Sequence, residues 1–134
     1  ALPVMEHEPG ARNCWAPEIL WDAKQGQFLI YWSTTIPGRF PATAKSAESD
    51  YNHRIYATTT KDFASFTPTT LFFDPGINCI DASILPVDGK FAMFFKDETK
   101  FPEPMKNLRL AIADELAGPY QISPRPLNPR VRRR

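Results

Sequence analysis

The feature that most constrains the fold of this chain is an internal repeat of two aromatic-rich hairpins. Residues 15–35 contain a short apolar stretch, a turn with a glycine, and the run Gln-Phe-Leu-Ile-Tyr-Trp-Ser-Thr-Thr. Residues 80–99 repeat this order, with a turn at Asp-Gly and the run Lys-Phe-Ala-Met-Phe-Phe-Lys-Asp. Aligning Ile19 with Ile84 superposes the two units at an offset of 65 residues. Apolar and aromatic runs separated by a short glycine-containing turn are typical of β-hairpins.

A second pair of matching segments follows the two hairpins. Residues 53–59 align with residues 108–114 at an offset of 55, and further short strand patterns occur near residues 69–73 and 119–122. The offset is smaller here because the first unit contains a longer loop, residues 36–52, which is rich in proline, serine and charge. The pattern therefore predicts two consecutive units of four strands each.

The repeat predicts an all-β fold, a partial β-propeller of two four-stranded antiparallel blades. The alternative is a plain β-sandwich of eight strands, but the in-phase match of the two hairpins favours blades. A propeller needs about 4–8 blades to close around its axis. Two blades alone would leave strand edges and apolar faces open, so we expect either a fragment or a homo-oligomer that covers these surfaces.

The distribution of charge limits the classes of partner. The net charge is +1, but residues 125–134 contain five arginines and no acidic residue. Residues 1–124 therefore carry 11 basic and 15 acidic residues, a net charge of −4. A nucleic-acid-binding domain is expected to carry positive charge on a folded face, so we expect no nucleic acid partner. We therefore divide the chain into a two-blade body, residues 1–124, and a basic Arg/Pro-rich tail, residues 125–134. One interpretation of the tail is an arm that packs on another subunit.

The cysteines, the N-terminus and the apolar runs add few constraints. Two cysteines make neither a disulfide framework nor a zinc site. We expect Cys14 and Cys79, which align with each other, to be free and buried, and a bridge between adjacent inner strands is the alternative.

No apolar run approaches the roughly 18 residues of a membrane span, so no membrane partner is expected. No signal peptide is visible, and the localisation stays open, with secreted and periplasmic locations both compatible.

Two motifs open the matched strands, Trp15-Ala-Pro-Glu18 and Ile80-Asp81. Together with Thr-Thr-Ile-Pro-Gly-Arg-Phe and Phe-Phe-Lys-Asp-Glu-Thr, they make residues 3–122 similar to blades two and three of glycoside hydrolase family 43, which forms five-bladed β-propellers. The resemblance implies a glycosidase of the arabinofuranosidase or xylosidase type. Its substrate would be an oligosaccharide or a plant polysaccharide that contains arabinose or xylose.

The resemblance also implies roles for individual residues. Trp15 corresponds to a residue at the sugar-binding end of the axis, and Asp81 to an acid that tunes the pKa of the catalytic acid and positions the sugar. The base from the family's first blade and the acid from its fourth have no match here. Inverting hydrolysis needs two carboxyl groups about 6.5–9.5 Å apart. We therefore expect weak or absent hydrolysis unless copies assemble a composite site, and the alternative is a non-catalytic carbohydrate-binding module or an inactive propeller fragment.

Glu18 is the candidate for a substitute catalytic carboxylate. In the repeat alignment Asp81 lies opposite Ala16, and strand side chains alternate between faces, so Glu18 is expected on the face that Asp81 uses. A buried pair of carboxylates raises one of the two pKa values, which suits a general acid. The favoured alternative is a structural Glu18 that satisfies backbone donors between the blades.

The other candidates for substrate binding are Arg39, Phe40 and His53. Arg39 and Phe40 lie in the long loop, and binding residues concentrate in loops. His53 precedes a predicted strand, and the alternative is an ordinary surface or hydrogen-bonded histidine. Trp21 and Trp32 are expected in the core. The sequence calls for no cofactor, and no residue cluster in the two blades demands a metal.

Overall fold

The computed structural model describes residues 1–128, which form two four-stranded antiparallel sheets, as predicted. The strands of each sheet are neighbours in the order in which they follow in the chain. The first sheet contains β1 (Trp15–Asp22), β2 (Gln27–Thr35), β3 (His53–Thr60) and β4 (Thr70–Phe73). The second contains β5 (Cys79–Val87), β6 (Lys90–Asp97), β7 (Leu108–Ala113) and β8 (Gln121–Ile122). The long loop holds two single 3-10 turns, Pro41–Thr43 and Glu48–Asp50.

The two inner hairpins close with turns that their sequences dictate. Asp88 and Gly89 join β5 to β6, and their φ angles of 49° and 76° are both left-handed, as a type I′ turn requires. In the longer first turn, Asp22 accepts hydrogen bonds from the amides of Lys24 and Gln25, and Gly26 has a φ of 62°. Both turns suit the twist of the flanking strands.

β1 carries a bulge directly after its first residue. Trp15 pairs with Ser33 and Glu18 pairs with Tyr31, so two residues of β1 face a single residue of β2. The first of these two, Ala16, has a φ of 48°. A left-handed conformation costs a residue with a Cβ about 1–2 kcal/mol, so the bulge is a strained position that the surrounding sheet maintains.

β5 repeats this bulge at the same place. Ile80 pairs with Lys96 and Ser83 pairs with Phe94, and between them Asp81 has a φ of 56°. Aspartate adopts this conformation more readily than alanine. The offset of 65 residues between the two inner strands is therefore confirmed at the level of backbone conformation.

The predicted alignment of the third strands is wrong by two residues. Ser33 pairs with Ile55, and Lys96, the counterpart of Ser33, pairs with Leu108. Ile55 therefore corresponds to Leu108, at an offset of 53 rather than 55. A shift of two residues leaves every side chain on the same face of its strand, so hydrophobic periodicity alone could not detect the error.

The main core lies between the two sheets. It is formed by the inward faces of both, and its most buried members include Tyr31, Ile55, Cys79, Met93 and Phe95. The opposite face of the first sheet has a smaller cluster at Trp32, Ile36 and Tyr56, which the N-terminal segment partly covers. Trp32 is therefore a core residue, as predicted.

The outward faces of the two sheets stay open in part. Trp21 is 49% exposed, so its predicted place in the core is wrong. Ile19 beside it and Leu85 on the second sheet are similarly exposed. The reason is that each blade covers only one face of the other, so residues of the remote faces lack a neighbouring sheet in the described part of the chain.

The two cysteines differ in burial although they occupy equivalent positions. Both are free, as expected, and Cys79 is buried, which raises the pKa of its thiol. Cys14 is exposed, which corrects its predicted burial. Cys79 belongs to the core between the sheets, whereas Cys14 has no such neighbouring sheet among residues 1–128.

The predicted tail is described only in its first four residues. In these, the amide of Leu127 donates to the carbonyl of Leu108, and Asn128 Oδ1 accepts from the amide of Leu108. Residues 129–134, which hold four of the five arginines, lie outside the described residues. Within residues 1–128, no helix is long and apolar enough to cross a membrane.

Candidate functional site

A cleft of about 1350 Å³ opens at the end of the molecule where β1, β3 and β5 begin. Three lining residues, Trp15, His53 and Ile80, lie at or next to the first residue of their strands, and Lys96 of β6 also lines the cleft. The long loop contributes residues 47–49 and 51, and the segment after β6 contributes residues 98, 100 and 103–106. The cleft therefore lies where the two bulged motifs of the repeat come together.

Three stacked rings form one wall of the cleft. The ring centroids of Trp15 and Tyr51 are 5.1 Å apart, and those of Tyr51 and His53 are 5.5 Å apart with an interplanar angle of 7°. The guanidinium of Arg12 lies 4.3 Å from the centroid of Tyr51 on the same cluster. Trp15 is nevertheless 46% exposed. A half-exposed ring held in place by neighbouring rings is a rigid platform for an apolar ligand face.

His53 lies behind this platform and is almost fully buried. Its Nδ1 is 3.2 Å from Oδ1 of Asn78, and its Nε2 is buried without a hydrogen-bond partner in the described part of the chain. Burial lowers the pKa of His53, because the charged ring loses its hydration; the carboxylates of Glu98 and Asp81 oppose this effect. His53 thus belongs to the lining of the cleft and carries a buried ring nitrogen without a partner among the described residues.

Tyr51 and Asn78 are the residues of this site that sequence reasoning missed. Asn78 is fully buried just before β5 and is linked to the loop before β3, since its Nδ2 donates to the carbonyl of Tyr51 at 2.9 Å. A signal for Asn78 was present, because the dipeptide Asn-Cys recurs at Asn13 and Asn78 with the offset of the repeat. Tyr51 lies in a loop without a strand pattern and left no comparable signal.

Asp81 lies next to Ile80 at the edge of the cleft and is exposed. Its amide donates to Oγ of Ser33 at 3.2 Å, which ties the bulge of β5 to the first sheet. The carboxylate of Asp81 favours the charged form of His53 and so opposes the lowering of the His53 pKa by burial. Asp81 and Trp15, the two residues matched most specifically by motif, therefore lie at the same end of the molecule.

Glu18 occupies a position between the blades. Its Oε2 accepts hydrogen bonds from the hydroxyls of Tyr31 at 3.3 Å and Ser83 at 3.2 Å. Glu18 and Asp81 are both exposed, so the expected buried carboxylate pair is not formed by the two. The bulge explains this, because it interrupts the alternation of faces on which the expectation depended.

Arg39 and Phe40 do not line the cleft. Arg39 is paired with Glu8 of the N-terminal segment, and the guanidinium of Arg54 lies 4.2 Å from the centroid of the Phe40 ring. The long loop instead contributes its later residues to the site, ending with Tyr51.

The rim of the cleft carries charges of both signs. Lys96 and Lys106 both pair with Glu98, and Lys100 pairs with Glu48. Such a rim offers hydrogen-bond donors and acceptors to a ligand without a strong net electrostatic field. Within residues 1–128, no group of three or more His, Cys, Asp or Glu side chains is arranged to hold a metal ion.

Known proteins resemble this chain over most of its described length. A family described as a probable glycosyl hydrolase domain, related to glycoside hydrolase family 43, matches residues 2–119. An α-L-arabinofuranosidase from Bifidobacterium longum subsp. longum is 28% identical over 98 residues, which cover 67% of this chain and 9% of that protein. The chain therefore spans less than a tenth of the length of this curated relative.

Solved structures share the fold. A family 43 β-xylosidase/α-arabinofuranosidase from a compost microbial metagenome, in complex with xylotriose, has a TM-score of 0.63 at 19% identity, over 84% of this chain and 35% of that one. A family 43 enzyme from Xanthomonas citri, also with xylotriose, has a TM-score of 0.58 at 13% identity, over 84% and 32%. The two sheets are thus blades of a propeller, and the sandwich alternative is wrong. With its repeat, its motifs and the match over residues 2–119, the chain belongs to the family of probable glycosyl hydrolase domains related to glycoside hydrolase family 43.

Proposed function

We propose that this chain forms the sugar-binding part of the active site of a glycoside hydrolase that acts on arabinose- or xylose-containing plant polysaccharide. The observation that carries the proposal is the half-exposed ring of Trp15, which stacks on Tyr51 and packs at a tilt against His53 in the wall of an open cleft. Sugar rings present an apolar C–H face that packs on such a platform, while polar groups around it fix the orientation. Asp81 at the edge of the cleft is assigned the positioning of the sugar.

The proton-transferring pair would come from blades beyond these two. Inverting hydrolysis needs two carboxyl groups that flank the glycosidic bond, and Glu18 is engaged by the hydroxyls of Tyr31 and Ser83. A second copy, packed on the open faces where Trp21 and Leu85 lie, would not supply those blades but would bring a second set of this chain's own carboxylates to the site, and so form a composite site. The open faces support this arrangement because exposed apolar faces favour association.

A non-catalytic carbohydrate-binding module is the second candidate. The observation that favours it is the engagement of Glu18 by the hydroxyls of Tyr31 and Ser83 between the blades, which leaves Asp81 without Glu18 as the second member of an acid pair. A binding module needs the platform and no acid pair.

The first test measures binding of xylotriose and arabinobiose by titration calorimetry. We expect Trp15→Ala to weaken binding about tenfold or more, since the platform loses a large aromatic contact. Trp21→Ala is the matched control, because Trp21 lies on the same strand with 49% exposure against 46% for Trp15. Equal effects of the two substitutions, or no effect of either, would contradict the assigned platform.

The second test separates the two candidate functions. Release of 4-nitrophenol from aryl arabinofuranoside and xyloside is measured against pH and protein concentration. A rate per chain that rises with protein concentration, and that Asp81→Asn abolishes, supports a composite active site. Retained sugar binding with no turnover at any pH supports the binding module, and turnover that survives Asp81→Asn refutes the role of Asp81.

A further inference from the structure

Asn78 is held in one orientation by two partners that each have a single hydrogen-bonding role. Its Nδ2 lies 2.9 Å from the carbonyl oxygen of Tyr51, which only accepts. Its Oδ1 lies 2.8 Å from the amide of His53, which only donates. The two ends of the amide therefore cannot be exchanged. Asn78 is 0% exposed, so water does not compete for either end.

This fixed amide determines which ring nitrogen of His53 carries the proton. Oδ1 of Asn78 also lies 3.2 Å from Nδ1 of His53. Two acceptors do not face each other at this distance in a buried site, so Nδ1 must hold a hydrogen and donate it. The remaining nitrogen, Nε2, then carries a lone pair in the neutral ring, and it is buried without a partner among the described residues.

The geometry points to His53 Nε2 as a hydrogen-bond acceptor for a hydroxyl of the bound sugar, with Asn78 as the positioning residue that fixes the ring as its Nδ1–H form. This inference deepens the proposed function and rests on it for the identity of the ligand. Trp15 and His53 both line the cleft and their ring centroids are 5.2 Å apart, so a sugar packed on Trp15 would lie beside the imidazole. A hydroxyl donor would satisfy the buried Nε2, whose desolvation is otherwise uncompensated.

The charged groups around His53 come from three elements. Asp81 on β5 and Glu98 after β6 favour a charged ring, whereas Arg12 of the N-terminal segment and the burial of the ring oppose it. If the ring gains a second proton, Nε2 becomes a donor and loses its capacity to accept. Binding through Nε2 is therefore expected to weaken when His53 becomes protonated on acidification.

The experiment is two-bond ¹H–¹⁵N correlation spectroscopy on protein with ¹⁵N-labelled histidine, first without ligand at pH 8. The chain has two histidines, and His7 is exposed, so His7→Gln assigns the spectrum and is the matched control for binding. We expect a protonated Nδ1 and an unprotonated Nε2 for His53. The opposite tautomer overturns the inference even if sugar binds.

Xylotriose is then added to the same sample and to Asn78→Asp protein. We expect the Nε2 resonance of His53 to shift on binding. The new carboxylate beside Nδ1 should raise the titration midpoint of His53, so the loss of xylotriose affinity on acidification should begin at a higher pH than in the wild type, with His7→Gln unchanged. Binding that leaves Nε2 unmoved overturns its role as acceptor. An Nδ1–H ring with no binding at all overturns the proposed function and removes the sugar as ligand, while the role of Asn78 in fixing the tautomer stands.

Should Asn78→Asp fail to fold, the wild-type spectra decide the matter by themselves. The pH dependence of xylotriose affinity is measured on the same protein and compared with the titration of His53. Affinity that follows this titration supports the inference, and affinity that is flat through it contradicts the inference.

Discussion

Replacement of Tyr31 by phenylalanine tests how the two blades are held together. The Tyr31 hydroxyl lies between the sheets, where it accepts from the amide of Ile84 at 3.0 Å and donates to Glu18. Tyr31 is 1% exposed and Ile84 is 3% exposed. Burial raises the pKa of Tyr31 to about 12, so the hydroxyl is neutral across the working range. The substitution removes one oxygen and leaves the ring and its packing in place.

The expected cost follows from the buried amide. An unsatisfied buried N–H costs about 1–3 kcal/mol, and the second hydrogen bond, to the exposed carboxylate of Glu18, adds about 0.5 kcal/mol. Tyr31→Phe should therefore lower the free energy of unfolding by about 2 kcal/mol. With a urea dependence of about 2 kcal/mol per molar, the midpoint of equilibrium urea unfolding should fall by about 1 M.

Ser83→Ala is the control, because it removes the other donor to Glu18 at the exposed edge without leaving a buried group unpaired. We expect this substitution to lower the free energy of unfolding by less than about 0.5 kcal/mol. A cost of Tyr31→Phe as small as that of Ser83→Ala would refute the reasoning, since the amide of Ile84 would then have another partner. The same outcome would also weaken the view that this hydroxyl joins the blades.

Three further predictions concern a turn, a titration and an interface. Gly89→Ala should destabilise the fold by about 1 kcal/mol in urea unfolding, because Gly89 has a φ of 76°. Gly10→Ala, which also meets open space but has no left-handed φ, should be neutral or slightly stabilising, and an equal loss in both would refute the conformational cause. The lowered pKa of His53 means that its neutral form stabilises the fold above about pH 6.5, the ordinary value, and that this stability is lost as pH falls below it. His53→Gln should therefore flatten the fall in unfolding free energy between pH 7 and 5, and an unchanged slope would contradict its burial. Leu85→Glu should shift the mass measured by light scattering towards the monomer, whereas a wild-type protein that is already monomeric at high concentration would exclude the composite site.

Much of the architecture could be predicted from the periodicity of the chain. The hairpins were visible because turn residues such as Asp88 and Gly89 and the aromatic strands recur at a fixed offset, and the bulged strands keep that offset to the residue. The third strand could not be aligned correctly, because a shift of two residues conserves the pattern of faces. The prediction that Trp21 lies in the core was wrong for a related reason. Periodicity shows on which face of a sheet a residue lies, but not whether another sheet covers that face.

The residues of the candidate site likewise fall into those that the sequence could identify and those that only the structure revealed. Local motifs were sufficient to single out Trp15 and Asp81, because each opens a strand of the repeat in a recognisable context. His53 was a candidate by residue type alone. Its buried, unpaired Nε2 and its contact with Asn78 depend on a neighbour 25 residues away that directly precedes the first strand of the other sheet.

The sequence by itself determined the repeat, the strand order within each blade, the turns and the two motifs, because these depend on local conformational preference and on alternation along a strand. Only the tertiary structure decided that the two bulges meet at one cleft, that Glu18 binds hydroxyls between the blades rather than pairing with Asp81, and that Tyr51 and Asn78 complete the site. The physical reason is that these contacts join residues distant in sequence across a sheet–sheet interface, and no local pattern specifies how two such surfaces pack.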